Sequence, residues 1–214
     1  GPPLSAPIAI FDFDGTLADS LDLALDAYNR VAPRLRARPI DRADLPRLRA
    51  LTPRAAMAEH NVSPWKLPLL VAAVRSAMRA HVDRLEPFAG VGDALRALVR
   101  AGCRCSVLST NSTENITRFL ARHDLALFEH VEGGVSMFGK GRALERLMRR
   151  AGIDAARVFY IGDEARDVQA ASAAGVRSVA VSWGYAGRDA LAACAPTHLI
   201  DHPDELVTLL SPGP

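Results

Sequence analysis

Lysine is nearly missing from this chain: Lys66 and Lys140 are the only two among 26 basic residues, so any lysine chemistry has two candidates. Cysteine is just as scarce. Cys103, Cys105 and Cys194 form an odd, sparse set that excludes a disulfide framework and suits reduced intracellular thiols. Cys103-x-Cys105 has no second ligand pair and opens an apolar run, so both read as strand residues rather than metal ligands. The six histidines are scattered without ligand spacing. No apolar run reaches the length that spans a bilayer, which excludes a membrane partner. The N-terminus shows no signal-peptide pattern, and the opening Gly1-Pro2 resembles a protease-cleavage scar; the expected location is the cytoplasm. A net charge of +2 is too small to argue for nucleic acid.

What the chain does have is an ordinary soluble composition, 49% apolar and 23% charged over 214 residues, enough for one sizeable core with a modest insertion. Its most telling segment is Ile8-Ala9-Ile10-Phe11-Asp12-Phe13-Asp14-Gly15-Thr16. An apolar run closed by Gly is how a central parallel strand ends, and ligands gather beyond the carboxyl ends of such strands. Alternation along Ile8–Phe13 places Asp12 and Asp14 on one side, where paired carboxylates repel unless a cation lies between them; hard, oxygen-seeking Mg²⁺ meets that requirement.

Strand-like runs at Ile8–Phe13, Arg104–Ser109, Val158–Ile161, Arg177–Val181 and His198–Ile200, with a weaker one near Phe128–Glu132, alternate with helical patterns. Several of those helices stop at Gly102, Gly152 or Gly175. This alternation predicts an α/β fold, a Rossmann-like parallel sheet with right-handed crossovers. One stretch breaks it. Residues 18–86 carry no convincing strand, only helical segments cut by six prolines from Pro33 to Pro68, and roughly 70 residues is far beyond a normal crossover. The expectation is an inserted all-helical cap over a core of residues 7–17 and 87–214, placed to act as a lid. From Arg30 to Arg54 there are eight Arg and two Asp, which is either a solvated helix face or a positive field for an anionic substrate.

Three further segments fall where the same crevice would lie. Ser109-Thr110-Asn111 puts hydroxyls and an amide at a strand end before a helix, which is either N-cap chemistry or a phosphate site. Lys140 sits between Gly139 and Gly141, as a lone ammonium at a flexible approach to the next helix. Gly162-Asp163-Glu164-Ala165-Arg166-Asp167 ends another strand with two carboxylates four residues apart.

In this order, the four segments resemble the motifs of the haloacid dehalogenase superfamily of phosphohydrolases, in the helical-cap subgroup that includes phosphoglycolate phosphatase and β-phosphoglucomutase. The resemblance covers nearly the whole chain. It implies an Mg²⁺-dependent phosphatase that hydrolyses a small phosphorylated metabolite through an aspartyl-phosphate. Asp12 then corresponds to the nucleophile and Asp14 to the general acid/base, while Thr110 is the phosphate-binding hydroxyl and Lys140 the neutralising lysine. Asp12, Asp14 (through its backbone carbonyl) and Asp163 correspond to the metal ligands, with Asp167, Glu164 and Thr16 around them and Gly15 and Asn111 toward the substrate. Two departures stand out: Gly141 follows Lys140 where many relatives have Pro, and Glu164 replaces a small hydroxyl residue. Asp14 argues against a dehalogenase, and the position of Lys66 argues against a phosphonate hydrolase. A sugar-phosphate mutase is the alternative, with Arg54 as the cap cation for a distal phosphate. A non-catalytic binding protein on a phosphatase core would normally have lost Asp12, Asp14, Lys140 or Asp163, and all four are present.

Overall fold

The computed structural model describes residues 6–211, so the Gly1-Pro2 opening lies outside the described residues. Six strands form one sheet: β1 (Ile8–Phe11), β2 (Arg104–Leu108), β3 (His130–Glu132), β4 (Val158–Gly162), β5 (Arg177–Val181) and β6 (His198–Ile200). Their order is β3-β2-β1-β4-β5-β6, and every pairing is parallel. The chain winds outward from β1 to β3, then resumes on the other side of β1 with β4. The sheet therefore reverses direction between β1 and β4, the place where α/β folds leave a crevice at the strands' carboxyl ends.

Both faces of the sheet are covered, as an all-parallel sheet requires. Ala9 and Phe11 of β1 pack with Val107, Phe159 and Ile161 into the larger cluster. Ile8 and Ile10, one residue out of phase, pack with Val158, Tyr160 and Leu144 into the second. Helices α5 (Val91–Arg100), α6 (Thr113–Arg122), α7 (Lys140–Ala151), α8 (Ala165–Ala173), α9 (Arg188–Ala192) and α10 (Glu205–Leu210) complete the layers. Cys103 and Cys105 are buried free thiols of the larger cluster.

Between β1 and α5 every regular element is helical: α1 (Leu21–Val31), α2 (Leu45–Arg49), α3 (Pro53–Glu59), α4 (Leu67–Arg79) and short 3₁₀ turns. This stretch has a small core of its own around Ala32, Ala37, Val62 and Leu70. The chain leaves for it and returns from it at one spot. Ala18 bridges Pro87, Asp19 N–H donates to Glu86 O (2.9 Å), and Phe88 N–H donates to Leu17 O (3.1 Å). No helix of the described residues is long and apolar enough to cross a membrane.

Two differences from the sequence reading bear on the site. β1 ends at Phe11 instead of Phe13, because the N–H groups of Thr16, Leu17 and Ala18 all turn back onto Phe13 O (3.2, 2.9 and 3.1 Å). Asp12 and Asp14 thus project from a turn beyond the strand, not from one side of it. Lys140 does not sit on a flexible approach. It opens α7 and is 2% exposed, drawn inward by two carboxylates.

Candidate active site

The register of the sheet assembles the site. Phe11 pairs with Val107 on one side and Ile161 on the other, so the ends of β1, β2 and β4 come level. Asp12 N–H continues the ladder onto Ile161 O (2.8 Å), which fixes the backbone of the first residue beyond β1. Its carboxylate accepts from Phe13 N–H at Oδ1 (2.7 Å) and faces Lys140 Nζ at Oδ2 (2.9 Å).

Lys140 also meets Asp167 Oδ1 at 2.6 Å, and its ammonium lies 5.9 Å from the ring centre of Tyr160. Burial alone would discharge this lysine. The Asp12 and Asp167 carboxylates outweigh that effect and hold its pKa well above the ordinary lysine range. Asp167 spends its second oxygen on Glu164 N–H (3.1 Å), so one carboxylate both anchors the lysine and caps the start of α8.

Asp163 is fully buried, and backbone groups wrap it closely. It accepts from Thr16 Oγ1 (3.0 Å) and Tyr185 N–H (2.8 Å). A Cβ on Gly15, whose φ is +77°, would fall 2.1 Å from Asp163 Oδ2, and one on Gly184 would fall 2.4 Å from Asp163 Cβ. Carboxylate oxygens of Asp12, Asp163, Glu164 and Asp167 lie within 4.8 Å of one another. Among the described residues only Lys140 and Arg166, the latter paired with Glu164 (2.7 Å), oppose them in ion pairs. The surplus of two negative charges is that of one divalent cation, and an all-oxygen donor set suits Mg²⁺. Without a cation, burial first, and then the charges of Glu164, Asp12 and Asp167, push the Asp163 carboxyl well above its usual range. The residues present fit the metal. Asp14 contributes no side-chain oxygen to this group, since its carboxylate points the other way, toward Asn111 Nδ2 (3.0 Å).

Asp14 Oδ1 is buried with no hydrogen-bond partner. Burial and the Asp12 charge raise the Asp14 pKa, against weaker lowering by Asn111, Ser20 and Arg75. Such a carboxyl favours its protonated form. Asn111 is itself held by Ser112 N–H (2.8 Å) and Asn115 Nδ2 (3.2 Å) on its Oδ1. Asp12, Asp14 and Thr110 share a cavity of about 380 Å³ that rises into the helical segment.

Arg54 is not brought to this cavity. It is exposed near the start of α3, in the first turn after the Thr52 cap, and does not line the cavity. The arginines that do reach the site are Arg75 of α4 and Arg166 of α8, both on the cavity wall. Spacing could have found Arg75, because Val71, Val74 and Met78 share its helical face and line the same cavity. Arg49 at the end of α2 donates to the carbonyls of Ser182 (2.8 Å) and Gly184 (2.9 and 3.1 Å), clamping the loop that presents Tyr185 N–H to Asp163. In the same loop Trp183 Nε1 donates to Thr16 O (3.0 Å), and Tyr185 lines the cavity with its hydroxyl 2.6 Å from Ser20 Oγ.

Comparison with known proteins agrees with this geometry. The family model of haloacid dehalogenase-like hydrolases matches residues 9–181. A phosphoglycolate phosphatase of Synechococcus elongatus is 39% identical over 92% of this chain and 94% of its own. A haloacid dehalogenase-like hydrolase of Streptococcus pneumoniae superposes with a TM-score of 0.78 at 19% identity, covering 97% of this chain and 99% of its own. A Thermotoga maritima protein assigned as a β-phosphoglucomutase superposes with a TM-score of 0.65 at 21% identity, over 95% and 98% of the two chains. At those identities the two superpositions speak for the fold alone. With its family model, its close relative and its buried acidic crevice in agreement, the chain belongs to the haloacid dehalogenase-like hydrolases and is a phosphatase enzyme of that family.

Proposed function

We propose that this enzyme hydrolyses a small phosphorylated metabolite by an Mg²⁺-dependent route, with Asp12 as nucleophile. The observation that carries the reading is the pairing of Asp12 with Lys140 beside a carboxylate group two charges in surplus. Asp12 and Asp163 would hold Mg²⁺ with their side chains and Asp14 with its backbone carbonyl. Once bound, the ion supplies charge neutralisation to the carboxylates and to the phosphoryl oxygens.

The chain's own groups do the rest. Lys140 stays charged and orients Asp12, and its positive charge faces the transferring phosphoryl group. Asp12 attacks phosphorus as the ester P–O bond breaks, and the leaving oxygen takes the proton of Asp14. Water then attacks phosphorus as the bond to Asp12 breaks and gives its proton to Asp14, which restores the Asp12 carboxylate and the protonated Asp14. Thr110 and Asn111, which line the openings beside Asp14, take phosphoryl oxygens, and Gly15 leaves the room that Asp163 occupies. Residues 18–86 act as the cap, hinged where Ala18 meets Pro87, and shield the crevice from water. Arg75 of α4 reaches the phosphoryl end of the cavity beside Asp14 and Thr110, whereas Arg54, the cation that the mutase alternative would use for a distal phosphate, lies outside it.

The test is phosphate release from para-nitrophenyl phosphate with and without Mg²⁺. Asp12→Asn should abolish turnover, and Asp14→Asn should leave a trapped phosphoenzyme visible by mass spectrometry. Near wild-type activity of Asp12→Asn would refute the covalent route.

A further inference from the structure

The cavity above Asp12 and Asp14 changes character as it rises into the helical segment. At its base stand Asp12, Asp14 and Thr110, with Arg75 and Arg166 on the wall. Above them it is walled by Leu21 and Leu25 of α1, Ile40, and Leu70, Val74 and Met78 of α4. A second cavity of about 220 Å³ shares Leu21, Ile40 and Leu70 and runs on to Met57 and Val62. Leu21, Ile40, Val74 and Met78 are only partly buried, although they face the interior of the molecule.

We propose that the phosphate ester hydrolysed here carries an apolar body, an alkyl or aryl group seated between α1 and α4. The proposal rests on the phosphatase reading above and narrows its substrate class. Its first support is continuity: the apolar wall and the phosphoryl groups belong to one cavity, of the size that encloses small ligands.

Its second support is where the charges lie. Arg75 also lines the neighbouring polar opening, together with Asp14, Thr110 and Asn111, so it stands at the phosphoryl end. At the far end Arg49 is committed to the carbonyls of Ser182 and Gly184, and His60 Nδ1 is paired with Ala56 O (3.0 Å). The two tyrosine hydroxyls on the wall are also engaged, Tyr28 with Arg38 O (2.7 Å) and Tyr185 with Ser20 Oγ (2.6 Å), so a carboxylate or a row of sugar hydroxyls placed there would lose more hydration than it regains in partners. A two-carbon acid ester would also leave most of the volume unfilled. An apolar body removes the remaining exposed leucine, valine and methionine surface from water instead.

The experiment is a series of methyl, ethyl, butyl and hexyl phosphates, with phosphoglycolate alongside, assayed on the full chain with Mg²⁺. The alkanol leaving groups are nearly equal in basicity, so the series reads the cavity and not the chemistry. We expect kcat/KM to climb about fourfold per methylene, roughly 250-fold from ethyl to hexyl phosphate, and to exceed the value for phosphoglycolate. Val74→Thr and Met78→Gln, which keep side-chain size, should flatten that climb; should either fail to fold, the wild-type series decides alone. A flat or falling series, or phosphoglycolate preferred over hexyl phosphate, overturns the apolar body and leaves the phosphatase standing. No Mg²⁺-dependent release from any ester overturns both.

Discussion

Gly184 shows how much of the site depends on a missing side chain. A Cβ there would lie 2.1 Å from Gly15 O and 2.4 Å from Asp163 Cβ, and neither neighbour is a flexible side-chain tip that could move aside. Gly184→Ala should therefore displace the loop, pull Tyr185 N–H from Asp163, and lower activity by about 100-fold or more, at a stability cost of about 1–3 kcal/mol. Mg²⁺ titration of activity, alongside a urea midpoint, checks it; a variant with unchanged Mg²⁺ dependence would show that the loop does not set Asp163. This dependence is not legible in the sequence, because the contact is made by a backbone N–H and by space, neither of which has a residue signature. Lys140 is legible for the opposite reason: lysine is so rare here that one between two glycines ahead of a helix stands out. Asp12 and Asp163 likewise follow apolar strands that can hardly be misread. Arg54 and Arg75 are the same residue type, and what sets Arg75 apart is the apolar face of α4 that it shares with Val71, Val74 and Met78, a local pattern that α3 does not offer Arg54 on the cavity wall.

Among the elements, the joint between α2 and the loop after β5 has the clearest consequence. Arg49 reaches the carbonyls of Ser182 and Gly184 while its own carbonyl accepts from Gly187 N–H (2.8 Å), so the helical segment and the loop hold each other from both sides. Arg49→Ala leaves those carbonyls short of a charged donor, a loss of about 1.5–3 kcal/mol. The expected outcome is a several-fold increase in the Mg²⁺ concentration for half-maximal activity, because the loop that positions Asp163 is loosened. Arg49→Lys should recover only part of it, since one ammonium cannot span the guanidinium's contacts. Equal loss in both variants with unchanged Mg²⁺ response would reduce Arg49 to a folding role. The alternation of strands and helices was readable at this scale because parallel strands buried on both faces leave unbroken apolar runs. The end of β1 was not, since the turn at Phe13 is made by three backbone N–H groups converging on one carbonyl.

For the whole molecule, the buried acidic group links stability to pH and metal. Asp163 is raised well above the usual carboxyl range, and Asp167 to about 6, by burial first and neighbouring carboxylates after it. In cation-free protein these groups favour the protonated fold. Their contribution is complete below the unfolded value of about 4 and is lost as pH rises through about 6 and beyond. Mg²⁺ should take over from the protons. The rise in Tm on saturation with MgCl₂ is then several degrees near about pH 7.5 and close to nothing near about pH 4.5, measured by calorimetry against an EDTA control. Equal shifts at both values would mean that the charge surplus is not what the ion relieves. The meeting of Ala18 with Pro87 bears on ancestry as much as on mechanics. Because the outgoing and returning backbones are hydrogen-bonded neighbours, the sheet registers the helical segment only as a closed loop, and closure entropy grows by about 0.6 kcal/mol for each doubling of its length. A segment attached in that way is a cassette: it can be lengthened or repacked with little strain on the strands beneath, so long as the Arg49 clamp on the loop after β5 is kept, and the same catalyst can then be refitted to a new metabolite without being rebuilt.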